Sequence, residues 1–210
     1  MNRIIKGDFG YLEKQMHWEL IKTLIFFALS FGVLLIGIII TGTKNNLLTI
    51  VAVLGLLPAA KELITSIMFT KAKKYSCPKI LFDAVQEMIV PDGNDIKDDD
   101  HEEMNFESEN LLLVVYDLYM TSQETDFPIL SMCCHNRTLI GIADWEKFDY
   151  KKAEDHIRIM LKQNGHKNVV IKIFSEQEKY ISRIKELKEQ KAENRDADQA
   201  ILRLMLNLSL

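Results

Sequence analysis

Two long apolar stretches near the N-terminus separate this chain into unlike parts. The first covers residues 23–40 and the second covers residues 47–70, with only the polar sequence TGTKNN between them. No charged residue lies between Lys22 and Lys44. About twenty apolar residues in a helix match the thickness of the hydrocarbon core of a bilayer. The pattern therefore predicts a transmembrane helical hairpin over residues 23–70.

The second apolar stretch is interrupted by Pro58, Lys61 and Glu62. A proline inside a helix removes a backbone donor, and a charge at membrane depth is costly unless it faces protein or water. Two interpretations of these intramembrane polar residues remain open. In one, both residues lie in the inner half of the membrane, where Lys61 extends to the headgroups and Glu62 reaches an interfacial partner. In the other, hairpins oligomerise and Lys61 or Glu62 lines a polar seam or pore.

Small residues recur at four-residue spacing in both apolar stretches. Ala28-x-x-x-Gly32 lies in the first, and Gly55-x-x-x-Ala59 lies in the second. Membrane helices pack through small residues because lipid provides no hydrophobic drive between them. We expect these pairs to bring two helix backbones close together, either within one hairpin or between hairpins.

The distribution of basic residues predicts the orientation of the hairpin. Residues 1–22 and residues 71–79 each contain four Lys or Arg residues, whereas the connecting loop contains only Lys44. Cytoplasmic flanks carry the excess of positive charge, so both termini are predicted to be cytoplasmic. The three cysteines, Cys77, Cys133 and Cys134, form no spaced disulfide framework, which also favours a reducing compartment.

The polar remainder of the chain predicts a small α/β domain. Its elements read helix, strand, strand, strand, helix, strand and helix, which gives a mixed sheet in an α/β sandwich. We divide the chain into a cytoplasmic head with an interfacial helix (1–22), the hairpin (23–70), a basic stretch with a helix (71–91), an acidic loop (92–109), the cytoplasmic α/β domain (110–193) and a C-terminal amphipathic helix (194–210).

Several local signals support this division. Residues 111–120 are apolar on both faces, as expected of a buried strand. Two further strands flank the turn His135-Asn136-Arg137, so the adjacent Cys133 and Cys134 should point to opposite faces as buried thiols. Asp149 is a predicted helix cap, and Ser175-x-x-Glu178 is a predicted capping box.

The last helix carries an apolar stripe that includes Ile201, Leu204 and Leu208. Three uses of this stripe remain open at this point. It could dock on the α/β domain, pair with a second copy of the chain, or lie on the membrane. The scarcity of basic residues in this segment makes the membrane the weakest of the three.

The order of elements resembles the core of restriction-endonuclease-like nucleases. That family holds its divalent metal through carboxylates on the second strand and a Glu-x-Lys pattern on the third. Here the third strand reads TLIGIA over residues 138–143, and neither strand has the required residues. The resemblance therefore implies an order of elements and no catalytic residues.

Candidate chemistry elsewhere is sparse. The candidate metal ligands are Asp98, Asp99 and Asp100 in the acidic loop and Asp117 in the first strand. No phosphate loop, nucleophile elbow, zinc-protease signature or dinucleotide fingerprint is present, and we expect no cofactor. The net charge of −4 gives no reason to expect nucleic acid as a partner.

These observations lead to three hypotheses for function. The first is a non-enzymatic membrane protein whose cytoplasmic domain recognises a partner or assembles with itself. Its expected partners are the lipid bilayer and either a second copy or another membrane or cytoplasmic protein. The second is a membrane-tethered, metal-dependent hydrolase or nuclease-like enzyme that uses Asp117 and the acidic loop. The third is an oligomeric channel or transport component that uses Lys61 and Glu62.

Overall fold

A computed structural model describes residues 5–42, 47–89, 112–122 and 125–210. The chain forms two compact units, one from residues 12–74 and the other from the residues on either side. The described residues include two long apolar helices followed by a mixed four-stranded sheet with helices, which confirms the α/β interpretation at that level. The predicted acidic loop at 92–109 lies outside the described residues.

The helical unit consists of two long helices. Helix α1 spans Tyr11–Thr41 and helix α2 spans Leu47–Ala72. The first helix begins well before the apolar stretch, so the predicted interfacial segment and the first apolar stretch form one continuous helix. Both helices are long and apolar enough to cross a membrane, judged by length and composition alone.

Helices α1 and α2 are antiparallel neighbours, with contacts at two positions along their length. A Cβ added to Gly55 in α2 would lie 2.9 Å from Ser30 Oγ in α1. Near the other ends of the helices, Lys73 Nζ lies 2.9 Å from the carboxylate of Glu13. The close approach at Gly55 requires a residue without a side chain, which explains why the two backbones meet there.

Among its described residues, the α/β unit contains eight helices and strands. These are α3 (Lys79–Ile89), β1 (Leu113–Thr121), β2 (Asp126–His135), β3 (Thr138–Ile142), α4 (Tyr150–Gln163), β4 (Val170–Phe174), α5 (Gln177–Lys188) and α6 (Arg195–Leu208). The strand order is β1-β2-β3-β4. The first two pairs are antiparallel, and β3 and β4 are parallel because α4 carries the chain back across the sheet.

Helices cover both faces of this sheet and bury a hydrophobic core on each side. One core includes Ile157 of α4 and Met205 of α6, and the other includes Val85 of α3 and Ile184 of α5. Successive side chains of a strand point to opposite faces. Accordingly, Cys134 lies in the first core and Cys133 in the second, as the sequence pattern predicts.

The structure confirms one of the two predicted helix caps and contradicts the other. The side chain of Asp149 accepts a hydrogen bond from the Lys152 amide at 3.0 Å, which confirms it as the cap of α4. The capping box at Ser175 is wrong. Helix α5 begins one residue later than that motif requires, so Glu176 occupies the cap position and makes no side-chain capping bond.

Candidate functional site

The charged residues of the second apolar helix differ in exposure. Lys61 is exposed, whereas Glu62 is half-buried and follows the buried Ala59 by three residues. Ser66, four residues further on, is also buried. Residues at this spacing share one helix face, so Glu62 belongs to the buried face of α2 and Lys61 does not. Pro58 lies inside the helix and is exposed.

The four small residues predicted to mediate packing do not act as two equivalent pairs. Gly55 and Ala59 lie on the buried face of α2, and Gly55 contacts Ser30. In α1, however, Ala28 is exposed and a Cβ on Gly32 would meet no atom within 4 Å. The Ala28–Gly32 face therefore does not make the contact between α1 and α2, and it remains available for contacts outside the hairpin.

Asp117 is buried in β1 and its carboxylate is held by the segment that precedes α3. Ser76 Oγ donates to the two carboxylate oxygens at 3.0 and 2.9 Å, and the Cys77 amide donates at 2.6 Å. Asp117 has a φ of 56°, which is unusual in a strand and costs backbone energy. Hydrogen bonds of this kind compensate a buried carboxylate, so Asp117 serves to fix α3 against the sheet.

No metal centre emerges from the predicted ligands. Asp98, Asp99 and Asp100 lie outside the described residues. Among the residues that are described, no group of three or more His, Cys, Asp or Glu side chains could hold a metal ion. The thiol nearest Asp117 is that of Cys77, and burial together with the Asp117 charge raises its pKa to about 12. This thiol is therefore neutral and a poor nucleophile or ligand near neutral pH.

A second buried carboxylate, Asp198, was not singled out by the sequence. It lies in the first turn of α6 and accepts hydrogen bonds from the amides of Asn136 at 2.7 Å and Arg137 at 2.8 Å. Both of these turn residues have positive φ, as a tight hairpin turn requires. Asp198 therefore fixes the start of α6 to the turn between β2 and β3.

The apolar stripe of α6 packs on the sheet of its own chain. Ile201 is 1% exposed within the core, while Leu204 and Leu208 are partly buried against it. The burial of Ile201 leaves it no surface for a partner, so only Leu204 and Leu208 retain some exposure. The predicted separate segment 194–210 is therefore a layer of the α/β unit.

A cationic groove lies between the end of α4 and the start of β4. Its cavity of about 360 Å³ has Leu161, Val169 and Ile171 among its apolar lining residues. The charged or titratable side chains along it are Arg158, Lys162, His166 and Lys167. The sequence offered one signal, a cluster of basic residues around Gly165, but their convergence on one groove depends on the turn at that glycine.

Comparison with protein-family models, with curated proteins and with solved structures gave no match.

Proposed function

We propose that this chain is a non-enzymatic membrane protein with two spans, which presents a small cytoplasmic α/β domain for partner recognition or self-assembly. The supporting observation is the exposure of apolar side chains along α1 and α2. Leu24, Ile39 and Leu47 are 71%, 80% and 76% exposed. A core helix of a soluble protein buries its apolar face, and a large exposed apolar surface is typical of a membrane or protein interface.

The hydrogen bonds of the buried carboxylates in the α/β domain favour a role in recognition over a role in hydrolysis. Asp117 and Asp198 are both occupied by hydrogen bonds that hold one element of the fold to another. A hydrolytic carboxylate needs access to a metal, a water or a substrate. Because these two groups have structural partners, the surface of the domain is the better place for its activity.

Membrane insertion and orientation can be tested with introduced cysteines. The native Cys77, Cys133 and Cys134 are buried, and burial raises the pKa of each thiol, so their background labelling should be slow. We expect Asn45→Cys to react with a membrane-impermeant maleimide in intact cells, and Lys188→Cys to react only after permeabilisation. Extraction of the protein by alkaline carbonate, or labelling of Lys188→Cys in intact cells, would contradict the proposal.

Self-assembly can be tested in native membranes through the exposed Ala28–Gly32 face. We expect oxidation of Ala28→Cys to give a dimer if hairpins associate, while a buried control, Ala59→Cys, should not crosslink. A crosslinked product of another mass would support a different protein as partner. If the chain remains a monomer in membranes with no crosslinked product, the self-assembly part of the proposal fails.

The position of Glu62 favours one second candidate, an oligomeric channel or transport component. Glu62 lies between Ala59 and Ser66 on the buried face of α2. A carboxylate at this position can line a polar path across the membrane. Ion flux should then appear in liposomes that contain the purified chain. Glu62→Gln should change this flux, whereas Lys61→Met, at an exposed position, should change it less. Absence of flux would exclude this candidate.

A further inference from the structure

The outer edge of β4 presents backbone amides in two different environments. Strand β4 ends the sheet, and the Val170 amide donates inward to the carbonyl of Arg137 at 3.0 Å. The Ile173 amide points outward and donates to Glu154 Oε1 at 3.0 Å. Because amide directions alternate along a strand, the Ile171 amide points outward with that of Ile173. Glu154 thus closes the second half of this edge and leaves the first half beside the cationic groove.

The charge of the groove is opposite to that of the chain. The whole chain has a net charge of −4, yet no acidic side chain lines the groove among the described residues. A smaller adjoining cavity of about 130 Å³ shares His166, Lys167 and Val169 and adds Arg137. Arg158 is ion-paired with Asp155, so Lys162 and Lys167 provide the cations that are left for a ligand.

We infer that this groove binds an acidic, extended segment of a partner protein, an inference that rests on the proposed role of the domain in recognition. An extended segment can pair its backbone with the outward Ile171 amide, as in the addition of a strand to a sheet edge. Its alternate side chains then contact the apolar floor formed by Val169 and Leu161. The same set carries the carboxylates, which reach Lys162 and Lys167 beside that floor, because Leu161 and Lys162 are neighbours on α4 and line one cavity.

Three features together favour a peptide over a small anion. A free phosphate would use the cations, but it would leave the apolar floor and the outward amide without a counterpart. The cavity of about 360 Å³ falls within the usual size of a ligand site. The open part of the edge is short, because Glu154 occupies the Ile173 amide. The groove therefore fits two or three extended residues with carboxylates on alternate positions.

The test measures peptide binding to the full chain in non-ionic detergent micelles by fluorescence anisotropy. The probe is a labelled six-residue peptide of alternating Glu and Val, blocked at both ends. Its controls are the Gln-Val peptide and a Glu-Val peptide with N-methylated backbone amides. We expect the Glu-Val peptide to bind, and both controls to bind at least about ten-fold more weakly, since one removes charge pairing and the other strand pairing.

Matched lysine variants locate the binding site. Lys162→Gln with Lys167→Gln should weaken Glu-Val binding by about ten-fold or more, and added salt should weaken it in the parent chain. Lys151→Gln with Lys188→Gln removes the same charge at exposed positions away from the groove and should leave binding unchanged. All four lysines are exposed, so folding should be unaffected, as circular dichroism would verify.

Two results would overturn the inference. One is equal binding of the Glu-Val peptide to the groove variant and the parent chain. The other is equal binding of the N-methylated peptide, together with its displacement by phosphate or by phosphatidylserine vesicles, which would assign the groove to a phosphate or a lipid headgroup. If either result appears while Ala28→Cys still gives a crosslinked product in membranes, the proposed function survives and only the groove assignment fails.

Discussion

The two edges of the sheet differ in how their backbone groups are covered. At β1, the Tyr116 amide donates to the carbonyl of Gly7 at 2.8 Å, and the Leu210 amide donates to the carbonyl of Tyr119 at 2.8 Å. Met120 also forms a bridge with Ser209. At β4, one side chain, that of Glu154, covers the outward amide of Ile173. One edge is thus covered by backbone from distant parts of the chain, whereas at the other edge Glu154 covers the outward amide of Ile173 and leaves that of Ile171 uncovered among the described residues.

This difference indicates which edge of the sheet can pair with a strand of another chain. An uncovered edge strand is a template for pairing, and proteins block it with loops, charges or short strands. Segments near both ends of the chain block β1, so a new strand there would have to displace existing hydrogen bonds. The β4 edge is short, carries Lys172 and lies beside a cationic groove, which limits pairing to segments with matching charge.

The largest loss of stability should come from a substitution that detaches the start of α6, the helix that brings Ser209 and Leu210 to β1. Asp198→Ala removes the buried carboxylate that accepts from two partly buried turn amides, and we expect the free energy of unfolding to fall by about 3 kcal/mol. Urea unfolding in detergent, followed by near-UV circular dichroism, measures the loss. Asp196→Ala, an exposed residue in the same turn, is the control. Equal losses in the two variants would contradict this role of Asp198.

A smaller loss should follow from opening the β1 edge directly. Removal of Ser209 and Leu210 eliminates the hydrogen bond to Tyr119 and the bridge to Met120, which should cost about 1–2 kcal/mol. The exposed edge should also promote aggregation, which light scattering would detect. Leu210→Ala keeps the backbone bond and should behave nearly as the parent chain. If the shortened chain is as stable and as soluble as the parent, the edge does not depend on these residues.

The smallest effect should come from opening the other half of the β4 edge. Glu154→Ala removes the acceptor of the Ile173 amide and should destabilise the chain by about 1 kcal/mol. Hydrogen exchange at Ile173 should become faster, because its amide then faces solvent. Glu154→Gln retains an acceptor oxygen and should restore most of the protection. Equal exchange in all three proteins would indicate that Glu154 does not close this edge.

Much of the fold follows from local patterns in the sequence. The long apolar stretches predict the two helices, and the alternation around Cys133 and Cys134 predicts two buried faces of β2. Such signals depend on residues close in sequence, which determine burial through helical or strand periodicity. The capping box at Ser175 failed because a local motif does not fix a helix start to the residue, and the observed helix begins one residue after the position that the motif marks.

The candidate sites were harder to predict because they depend on residues far apart in the sequence. Asp198 bonds to amides 61 and 62 residues away, and no local pattern distinguishes it from an ordinary acidic residue at a helix start. The sequence marked Asp117 as a candidate metal ligand in a buried strand, but it could not identify Ser76 and Cys77 as the groups that hold its carboxylate. The cationic groove likewise forms only when α4 and β4 pack together.

The contact between Asp117 and Ser76 has a consequence for the conformational entropy that folding costs. It joins two residues that are 41 positions apart in the sequence. The entropy of closing a loop grows only with the logarithm of its length, at about 0.6 kcal/mol for each doubling. A contact across 41 positions therefore costs only about 0.6 kcal/mol more in loop entropy than one across half that separation, so a strand distant in sequence can hold the start of α3 at little extra cost.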